Sequence, residues 1–433
     1  MRVDRLDISN FKGFAQREFL LHPQFNLVVG ENGSGKTSVL EALSVAVGSW
    51  FLGLRGYDTR HIRPDDARLV GFDSGDRVRW EQQFPCAVEA SGVVQGQSLT
   101  WKRTLNSADG RTTYVDAREV KQLAAAADNA VRDGVDLTLP LISYYSTGRL
   151  WNVPREQARV TGAEQIKSRA ALSRLEGYRN SVDPRLSVSD LMEWIARESW
   201  RAFQRQGEHS PTFQVAREAL IRGVMDAQDI TFDAEYGEVI VRFVDGSRQP
   251  FNNLSDGQRC MLALVGDLAR KAATLNPHLG RRALEETPGV VLIDELDLHL
   301  HPTWQRRVVE ELRTTFPALQ FVCSTHSPFL IQSLRSGEEL VMLSGQPVAQ
   351  LADMPLDDIA RIQGVERPEV SARYQEMKAV AKSYLETLDD AASSPHEKLE
   401  RYRERLADTI APYADNPAFQ ALLEMKRAAK LGE

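Results

Sequence analysis

The segment that most restricts the fold is a glycine-rich octapeptide that follows a short apolar run. Residues 30–37 read Gly-Glu-Asn-Gly-Ser-Gly-Lys-Thr, and the apolar residues 25–29 precede them. In the spacing G-x-x-x-x-G-K-T, the glycines let successive backbone N–H groups point at one anion, and the N-terminus of the next helix faces the same anion. The sequence therefore predicts a strand, a phosphate-binding loop and a helix over residues 38–47.

This loop is expected to hold ATP together with Mg²⁺. Lys36 is predicted to reach the β- and γ-phosphates, and Thr37 is predicted to bind the metal ion. The predicted nucleotide-binding residues of this segment are Gly30, Glu31, Asn32, Gly33, Ser34, Gly35, Lys36, Thr37 and Ser38. A polar turn that contains a lysine by chance is the alternative, and the flanking strand and helix patterns argue against it.

A second segment, residues 288–295, is a continuous apolar run that ends in two carboxylates. Such a run is typical of a parallel strand that is buried on both faces. Asp294 is predicted to hold Mg²⁺ opposite the phosphate loop, and Glu295 is predicted to be the catalytic base that polarises the attacking water. Acidic residues that merely cap a surface strand are the structural alternative.

Two further motifs follow the phosphate loop in the sequence. Residues 254–259 read Leu-Ser-Asp-Gly-Gln-Arg before an apolar helical pattern, and they resemble the ABC signature motif. The resemblance implies that Ser255, Gly257 and Gln258 contact the γ-phosphate bound by an opposing subunit, so that two chains close head to tail. Asp256 replaces a glycine often found there, and a capping aspartate suits the start of a helix.

The last motif is a predicted strand over residues 319–324 that leads to a histidine. His326 resembles the switch histidine of ABC ATPases, which can sense the γ-phosphate and stabilise the attacking water. Ser324 and Thr325 would be its polar support. A lone histidine is more often structural, but its position after the other three motifs favours a catalytic role.

Residues 297–302 and the N-terminal residues 3–14 resemble the SMC/RecF-like and OLD-like branch of this superfamily. The resemblance implies an α/β fold, an ABC-type P-loop ATPase head with an antiparallel β subdomain, a short helical arm insertion and a helical C-terminal tail. It also makes Lys12 a candidate nucleotide contact. The sequence departs from the pattern of this family at two places. Residues 139–149 lack the glutamine of the family's Q-loop, and His301 replaces the D-loop aspartate.

The pattern of apolar and polar residues divides the chain into four predicted regions. Residues 77–84 and 98–103 alternate as antiparallel strands, and Leu191, Met192, Trp194 and Ile195 form an apolar helical stripe. The predicted regions are a first lobe at 1–148, a helical arm at 149–225, a second lobe at 226–345 and a helical tail, proposed as an interaction region, at 346–433.

Composition agrees with an intracellular ATPase. The 433 residues suffice for one large head with insertions, and Cys86, Cys260 and Cys323 are too widely separated to indicate a disulfide or metal framework. No apolar run reaches the roughly 18 residues of a membrane span. We therefore expect a cytoplasmic protein without a membrane partner. The net charge of −7 argues against a globally basic nucleic-acid-binding protein.

A narrower resemblance concerns residues 144–151, residues 173–178 and the tail. They are similar to the stand-alone ATPases of Septu and retron-linked anti-phage systems. The ATPases of PARIS-type systems are a close alternative. The resemblance implies an oligomer that controls a separately encoded nuclease. No D-x-D pair with suitable strands follows His326, and Asp389-Asp390 lie in a helical context, so we expect no nuclease activity from this chain alone.

Two other functions stay open at this point. One is a RecF/SMC-like ATPase of DNA repair or chromosome maintenance that clamps DNA, and the other is a nucleotide-gated scaffold with negligible turnover. Arg149 is equally compatible with a structural cation and with a nucleotide contact.

Overall fold

A computed structural model describes residues 1–74, 77–148, 173–183, 188–343, 354–362, 379–388 and 423–426. The strands are β1 (Arg2–Phe11), β2 (Phe14–Leu20), β3 (Phe25–Val29), β4 (Leu69–Ser74), β5 (Arg77–Gln82), β6 (Cys86–Val94), β7 (Gln97–Leu105), β8 (Leu141–Tyr145), β9 (Ala227–Asp233), β10 (Glu238–Phe243), β11 (Arg248–Pro250), β12 (Gly289–Ile293), β13 (Leu319–Ser324) and β14 (Leu340–Met342).

The helices are α1 (Lys36–Val47), α2 (Arg118–Arg132), α3 (Val188–Gln204), α4 (Pro211–Arg222), α5 (Asp256–Leu275), α6 (Ala283–Glu286), α7 (Pro302–Gln305), α8 (Val308–Thr315), α9 (Pro328–Gln332) and α10 (Leu356–Ile362). Short 3₁₀ turns span Gly48–Gly53, Pro64–Asp66, Val115–Ala117, Arg174–Tyr178, Phe251–Asn253, Pro277–Arg282 and Gly337–Glu339.

A five-stranded parallel sheet in the order β14-β3-β13-β12-β8 carries the predicted motifs. Every residue of β3, β8, β12 and β13 is buried, as the continuous apolar runs predict for parallel strands covered on both faces. Because parallel strands end at a common edge, the phosphate loop and Asp294, which follow β3 and β12, lie at the same edge of the sheet as Ser324, the last residue of β13. The buried parallel strand predicted within residues 288–295 is confirmed as β12.

The phosphate-loop helix α1 packs between two sheets. It contacts β12 and β13 of the parallel sheet and β1, β6 and β7 of an antiparallel sheet ordered β2-β1-β6-β7. Most of its side chains are buried, since a helix covered on both sides is apolar around most of its circumference. The helix begins at Lys36, so the predicted start at residue 38 was two residues late. The left-handed Gly35 ends the loop and serves as its N-cap.

The predicted antiparallel strands are also present. β5 pairs with β4 in a two-stranded hairpin, and β7 pairs with β6 at the edge of the four-stranded sheet. A third antiparallel sheet, ordered β11-β10-β9, lies before the predicted signature helix in the chain. The α/β fold with an antiparallel β subdomain is thus confirmed.

Helices α3 and α4 pack on the long helix α5. A β-carbon on Gly266 of α5 would lie 2.6 Å from Leu191 of α3 and 3.0 Å from Leu220 of α4, so the missing side chain permits this close crossing. Leu191, Trp194 and Ile195 are buried and Met192 is partly buried, in agreement with the predicted apolar stripe.

The chain forms two compact units, Met1–Gly364 and Val365–Glu433. The first holds both predicted lobes and extends past residue 345 through α10. In the second, Tyr384, Leu388 and Leu423 form a small apolar cluster. Arg149, Asp389 and Asp390 lie outside the described residues, and the domain boundaries remain predictions. All three cysteines are buried thiols. Among the described helices, none combines the length and the apolar character that crossing a membrane requires.

Candidate nucleotide-binding site

The phosphate loop has the backbone conformation that its glycines predict. Gly33 and Gly35 adopt φ values of 79° and 101°, which favour glycine. A β-carbon on Gly35 would lie 2.7 Å from the ring of Phe14, so the hairpin between β1 and β2 packs directly on the end of the loop. A β-carbon on Gly30 would lie 2.6 Å from Ser34 Oγ. The loop is therefore compact and specific for glycine at these positions.

Lys36 lies across this loop. Its Nζ donates hydrogen bonds to the carbonyl oxygens of Gly30 at 2.8 Å and Glu31 at 2.9 Å. Burial lowers the pKa of Lys36, and the nearby carboxylates of Glu295, Asp294 and Asp297 oppose this effect. The ammonium group is thus held at the centre of the loop, close to the carboxylates of the second motif.

The loop residues fit an anionic ligand. Within the described part of the chain, the buried Oγ of Ser34 has no hydrogen-bond partner, and a phosphate oxygen would supply one. Glu31, Asn32 and Gly33 are exposed, and Ser38 is half-buried in the first turn of α1. Main-chain N–H groups at the start of this helix favour a negative charge.

The metal-binding prediction concerns Thr37 and Asp294. Thr37 Oγ1 donates a hydrogen bond to Asp294 Oδ2 at 2.9 Å, across 257 residues of sequence. Hydroxyl and carboxylate oxygens are ligands that Mg²⁺ prefers. The structure therefore brings together the two residues that were predicted to hold Mg²⁺, and their donor atoms fit that ion.

Ser324 organises the carboxylate end of the site. Its Oγ donates to Asp294 Oδ1 at 2.5 Å and accepts a hydrogen bond from the backbone N–H of Glu295 at 2.8 Å. Glu295 adopts a left-handed backbone, with φ of 50°, immediately after the strand. One serine hydroxyl thus fixes both predicted acidic residues, which is a more direct role than the support of His326 that the sequence indicated.

His326 is exposed, two residues beyond Ser324. The intervening Thr325 is buried, and its Oγ1 donates to Asp297 Oδ1 at 2.5 Å. This bond ties the end of β13 to the loop that follows Glu295. The structure therefore places His326 at the common edge of the sheet, and its catalytic role remains a prediction.

The signature segment begins α5. Ser255 is the N-cap residue and forms a capping box with Gln258, in which Ser255 Oγ accepts from Gln258 N and Gln258 Oε1 accepts from Ser255 N. Asp256 is the first helical residue and pairs with Arg259, so the expectation that this aspartate caps the helix was wrong. Ser255 is exposed, and Gly257 lies against the carbonyl of His299.

Two other residues have local partners that the sequence did not reveal. Lys12 forms an ion pair with Glu41 of α1 and lies 3.9 Å from Asp66 Oδ1. It therefore braces the phosphate-loop helix, and its contact with nucleotide remains a prediction. His301, which stands in place of the D-loop aspartate, caps α7 by accepting a hydrogen bond from the N–H of Thr303 at 3.3 Å.

Sequence reasoning missed the buried polar group that links α5 to β8. It contains Tyr145, Asp267, Arg270 and Lys271. The detectable signal was a set of three charged residues inside an otherwise apolar helical pattern.

The fold and this site together are those of a P-loop nucleotide-binding head. Residues 5–205 match the family described as "AAA domain", and residues 140–332 match that described as "AAA domain, putative AbiEii toxin, Type IV TA system".

The particular relatives are ATPases of named prokaryotic systems. The chain is 26% identical over 387 residues to "Retron Vc95 probable ATPase" of Vibrio cholerae, covering 78% of this chain and 72% of that protein. It is 26% identical over 355 residues to "Septu protein PtuA" of Bacillus mycoides, covering 79% of this chain and 41% of that longer protein. The predicted resemblance to Septu and retron-linked ATPases is confirmed.

A solved structure of an SMC head bound to the C-terminal winged-helix domain of ScpA also matches. It shares 16% identity, with a TM-score of 0.46, over 81% of this chain and 96% of that one.

Proposed function

We propose that this chain binds and hydrolyses ATP as a head-to-tail dimer, alone or within a larger assembly, and so controls a separately encoded nuclease in anti-phage defence. The observation that carries the ATPase part is the convergence of Thr37, Asp294, Glu295 and Ser324 at one edge of the parallel sheet. This arrangement supplies the positioned donors and carboxylates that hydrolysis of a phosphoanhydride requires.

Each group has a defined task in this proposal. The loop N–H groups and Lys36 bind the phosphates, and Thr37 and Asp294 hold Mg²⁺, which when bound neutralises charge on the phosphate oxygens. Glu295 accepts a proton from the attacking water, and His326 stabilises that water. Ser324 fixes the Asp294 carboxylate and the backbone of Glu295 relative to each other.

The variant Glu295→Gln tests the catalytic assignment. It retains the size of the side chain but removes the base, so we expect ATP binding to persist while phosphate release falls by about a hundredfold or more. The closed dimer should accumulate in ATP and be detected by light scattering. Hydrolysis at the wild-type rate would show that Glu295 is not the base and would favour another activation of water.

The dimer proposal rests on the exposed start of α5. Ser255 is exposed at the N-terminus of a 20-residue helix, where main-chain N–H groups can receive an anion from another subunit. Mixing two inactive variants tests the arrangement. Lys36→Ala and Ser255→Arg damage opposite halves of a shared site, so a mixed dimer has one doubly damaged site and one intact site.

Random pairing of these variants should restore about a quarter of the wild-type sites, because half of the dimers are mixed and each has one intact site. Each variant alone should remain inactive. If the mixture is as inactive as its components, while both variants still form dimers, the site is completed within one chain and the head-to-tail proposal fails.

Control of a nuclease is supported by the similarity to Septu and retron ATPases. The test is affinity purification of this chain, co-expressed with its neighbouring genes, in the presence of ATP. A small nuclease in fixed stoichiometry would support the defence role. Recovery of the ATPase alone, or with DNA only, would instead favour a DNA-clamping ATPase of repair or chromosome maintenance.

A further inference from the structure

Tyr145 connects two elements of the site by two different groups. It is the last residue of β8, where its carbonyl oxygen accepts a hydrogen bond from the N–H of Asp294 at 2.8 Å. Its hydroxyl donates to Asp267 Oδ2 on α5 at 2.7 Å. Tyr145 and Asp267 are 2% and 3% exposed, so water does not compete for this bond. One residue therefore joins the backbone of Asp294, the predicted metal-binding residue, to the signature helix.

Asp267 is the centre of a buried charge cluster. Arg270 Nη2 lies 2.7 Å from Asp267 Oδ1, and Lys271 Nζ lies 3.0 Å from Asp267 Oδ2. Lys271 also donates to Ser143 Oγ of β8 at 2.8 Å. Burial alone would raise the pKa of Asp267, but the charges of Lys271 and Arg270 outweigh it and hold the pKa below its usual range. The carboxylate is thus ionised and bonded on both sides.

Stability alone does not account for this cluster. Apolar side chains of similar volume are often as stabilising as a buried ion cluster, because desolvation of the charges offsets their attraction. What a bonded cluster provides is a defined geometry, since each partner accepts few orientations. Here that geometry sets the position of α5 relative to β8.

Helix α5 also contacts the chain just after Asp294 and Glu295. Gly257 contacts the carbonyl of His299, which lies in the loop that follows Glu295. Ten residues separate Gly257 from Asp267, which corresponds to about 15 Å of helix. The first turn of α5 therefore contacts the loop after β12. Farther along the same helix, Asp267 is linked to the backbone of Asp294 through Tyr145.

We infer that Tyr145 and Asp267 are positioning residues, which couple the placement of Asp294 to the placement of the signature helix. The inference rests on the proposed function, because it assigns Asp294 to Mg²⁺ and Ser255 to an anion from the opposing subunit. A ligand that moves the start of α5 also moves Asp267, and Tyr145 transmits that movement to the backbone of Asp294, whose carboxylate is proposed to hold the metal ion.

The variant Tyr145→Phe removes one hydroxyl and keeps the buried ring. Tyr178→Phe is a matched control, because Tyr178 is also 2% exposed and its hydroxyl accepts a hydrogen bond from Trp50 Nε1 at 3.0 Å. The primary readout is Mg²⁺ titration of the binding of a fluorescent ATP analogue, which requires no turnover. For Tyr145→Phe we expect the Mg²⁺ concentration at half-saturation to rise about tenfold, with affinity measured in EDTA changed less than about twofold.

A second readout separates positioning from general destabilisation. In steady-state hydrolysis, Tyr145→Phe should lower kcat about tenfold and leave KM nearly constant, whereas Tyr178→Phe should lower only the melting temperature. Ser143→Ala breaks the neighbouring link from Lys271 to β8 and should shift the Mg²⁺ midpoint in the same direction. It provides a test even if Tyr145→Phe folds poorly.

Equal Mg²⁺ midpoints for the wild type, Tyr145→Phe and Ser143→Ala would overturn the inference. A wild-type chain that binds MgATP without hydrolysing it would instead overturn the ATPase proposal. The Mg²⁺ titration would still decide the role of Tyr145 in that case, so the two failures can be distinguished.

Discussion

The carbonyl oxygen of His299 lies 2.6 Å from the point that a β-carbon on Gly257 would occupy. Real β-carbons do not approach a backbone oxygen this closely, so the contact requires glycine. His299 itself has a left-handed backbone, with φ of 64°. The glycine of the signature motif therefore has a structural task within its own chain, in addition to the anion contact that the motif predicts.

Gly257→Ala should for this reason disturb the loop after Glu295 as well as the start of α5. Overpacking of this kind costs about 1–3 kcal/mol of stability, and we expect ATP hydrolysis to fall about tenfold or more because the displaced loop directly follows Glu295. Thermal unfolding and phosphate release measure the two effects.

Gly207→Ala is the control for this variant. Gly207 has φ of 95° and open space around its β-position, so alanine there costs about 1–2 kcal/mol through backbone strain alone. It should lower stability and leave the rate of hydrolysis unchanged. If both variants lose activity in proportion to stability, the contact with His299 has no special role.

The two lysines near the phosphate loop should differ in effect. Lys36→Ala removes the ammonium group at the centre of the loop, and ATP affinity should fall about a hundredfold. Lys12→Ala removes the ion pair with Glu41, and ATP affinity should fall by only about threefold. Isothermal titration with ATP and Mg²⁺ measures both. Equal losses would mean that Lys12 contacts the nucleotide as directly as Lys36 does.

Ser324→Ala should separate catalysis from binding. The hydroxyl positions Asp294 and the backbone of Glu295, so we expect kcat to fall about tenfold while nucleotide affinity in EDTA is retained. Ser333→Ala is a suitable control, because Ser333 Oγ donates to the carbonyl of Leu330 at 2.7 Å in a different turn. A kcat for Ser324→Ala equal to that of the control would contradict this role.

The sequence predicted the parallel strands and the loop because their signals are local. A continuous apolar run followed at once by Asp294, or by the phosphate loop, specifies both burial and the edge of the sheet to which the side chain belongs. The glycines at 33 and 35 likewise predict their own backbone conformation. These features need no knowledge of distant residues.

Other contacts were hidden because they join distant segments. Tyr145 and Asp267 are 122 residues apart, and neither has a neighbour in sequence that specifies the other. Lys12 was predicted to contact nucleotide, but its pairing with Glu41 depends on how the β1–β2 hairpin packs on α1. The role of Gly257 against His299 depends in the same way on packing between two motifs that were each interpreted separately.

The buried carboxylate of Asp267 should contribute to acid sensitivity. Its pKa is depressed in the folded chain, since Lys271 and Arg270 overcome the effect of burial, whereas the unfolded value is about 3.9. The unfolded chain therefore binds a proton at a pH at which the folded chain does not. The contribution to stability is fully present above about pH 4 and is lost as pH falls toward the folded pKa.

Asp267→Asn tests this contribution. At pH 7 it should lower the free energy of unfolding by about 3–5 kcal/mol, because the buried Arg270 and Lys271 lose the carboxylate of Asp267 and keep only the weaker attraction of Asp190. The difference from the wild type should shrink as pH falls below about 4. Wild-type Asp267 then takes up a proton in the unfolded chain before it does so in the folded chain, and this lowers the stability of the wild type, whereas the variant has no carboxylate at this position. Urea unfolding at a series of pH values measures it. Asp73→Asn, at an exposed position on β4, is the control and should follow the wild-type curve. A difference that stays constant down to about pH 2.5 would show that the pKa of Asp267 is not depressed in the folded chain.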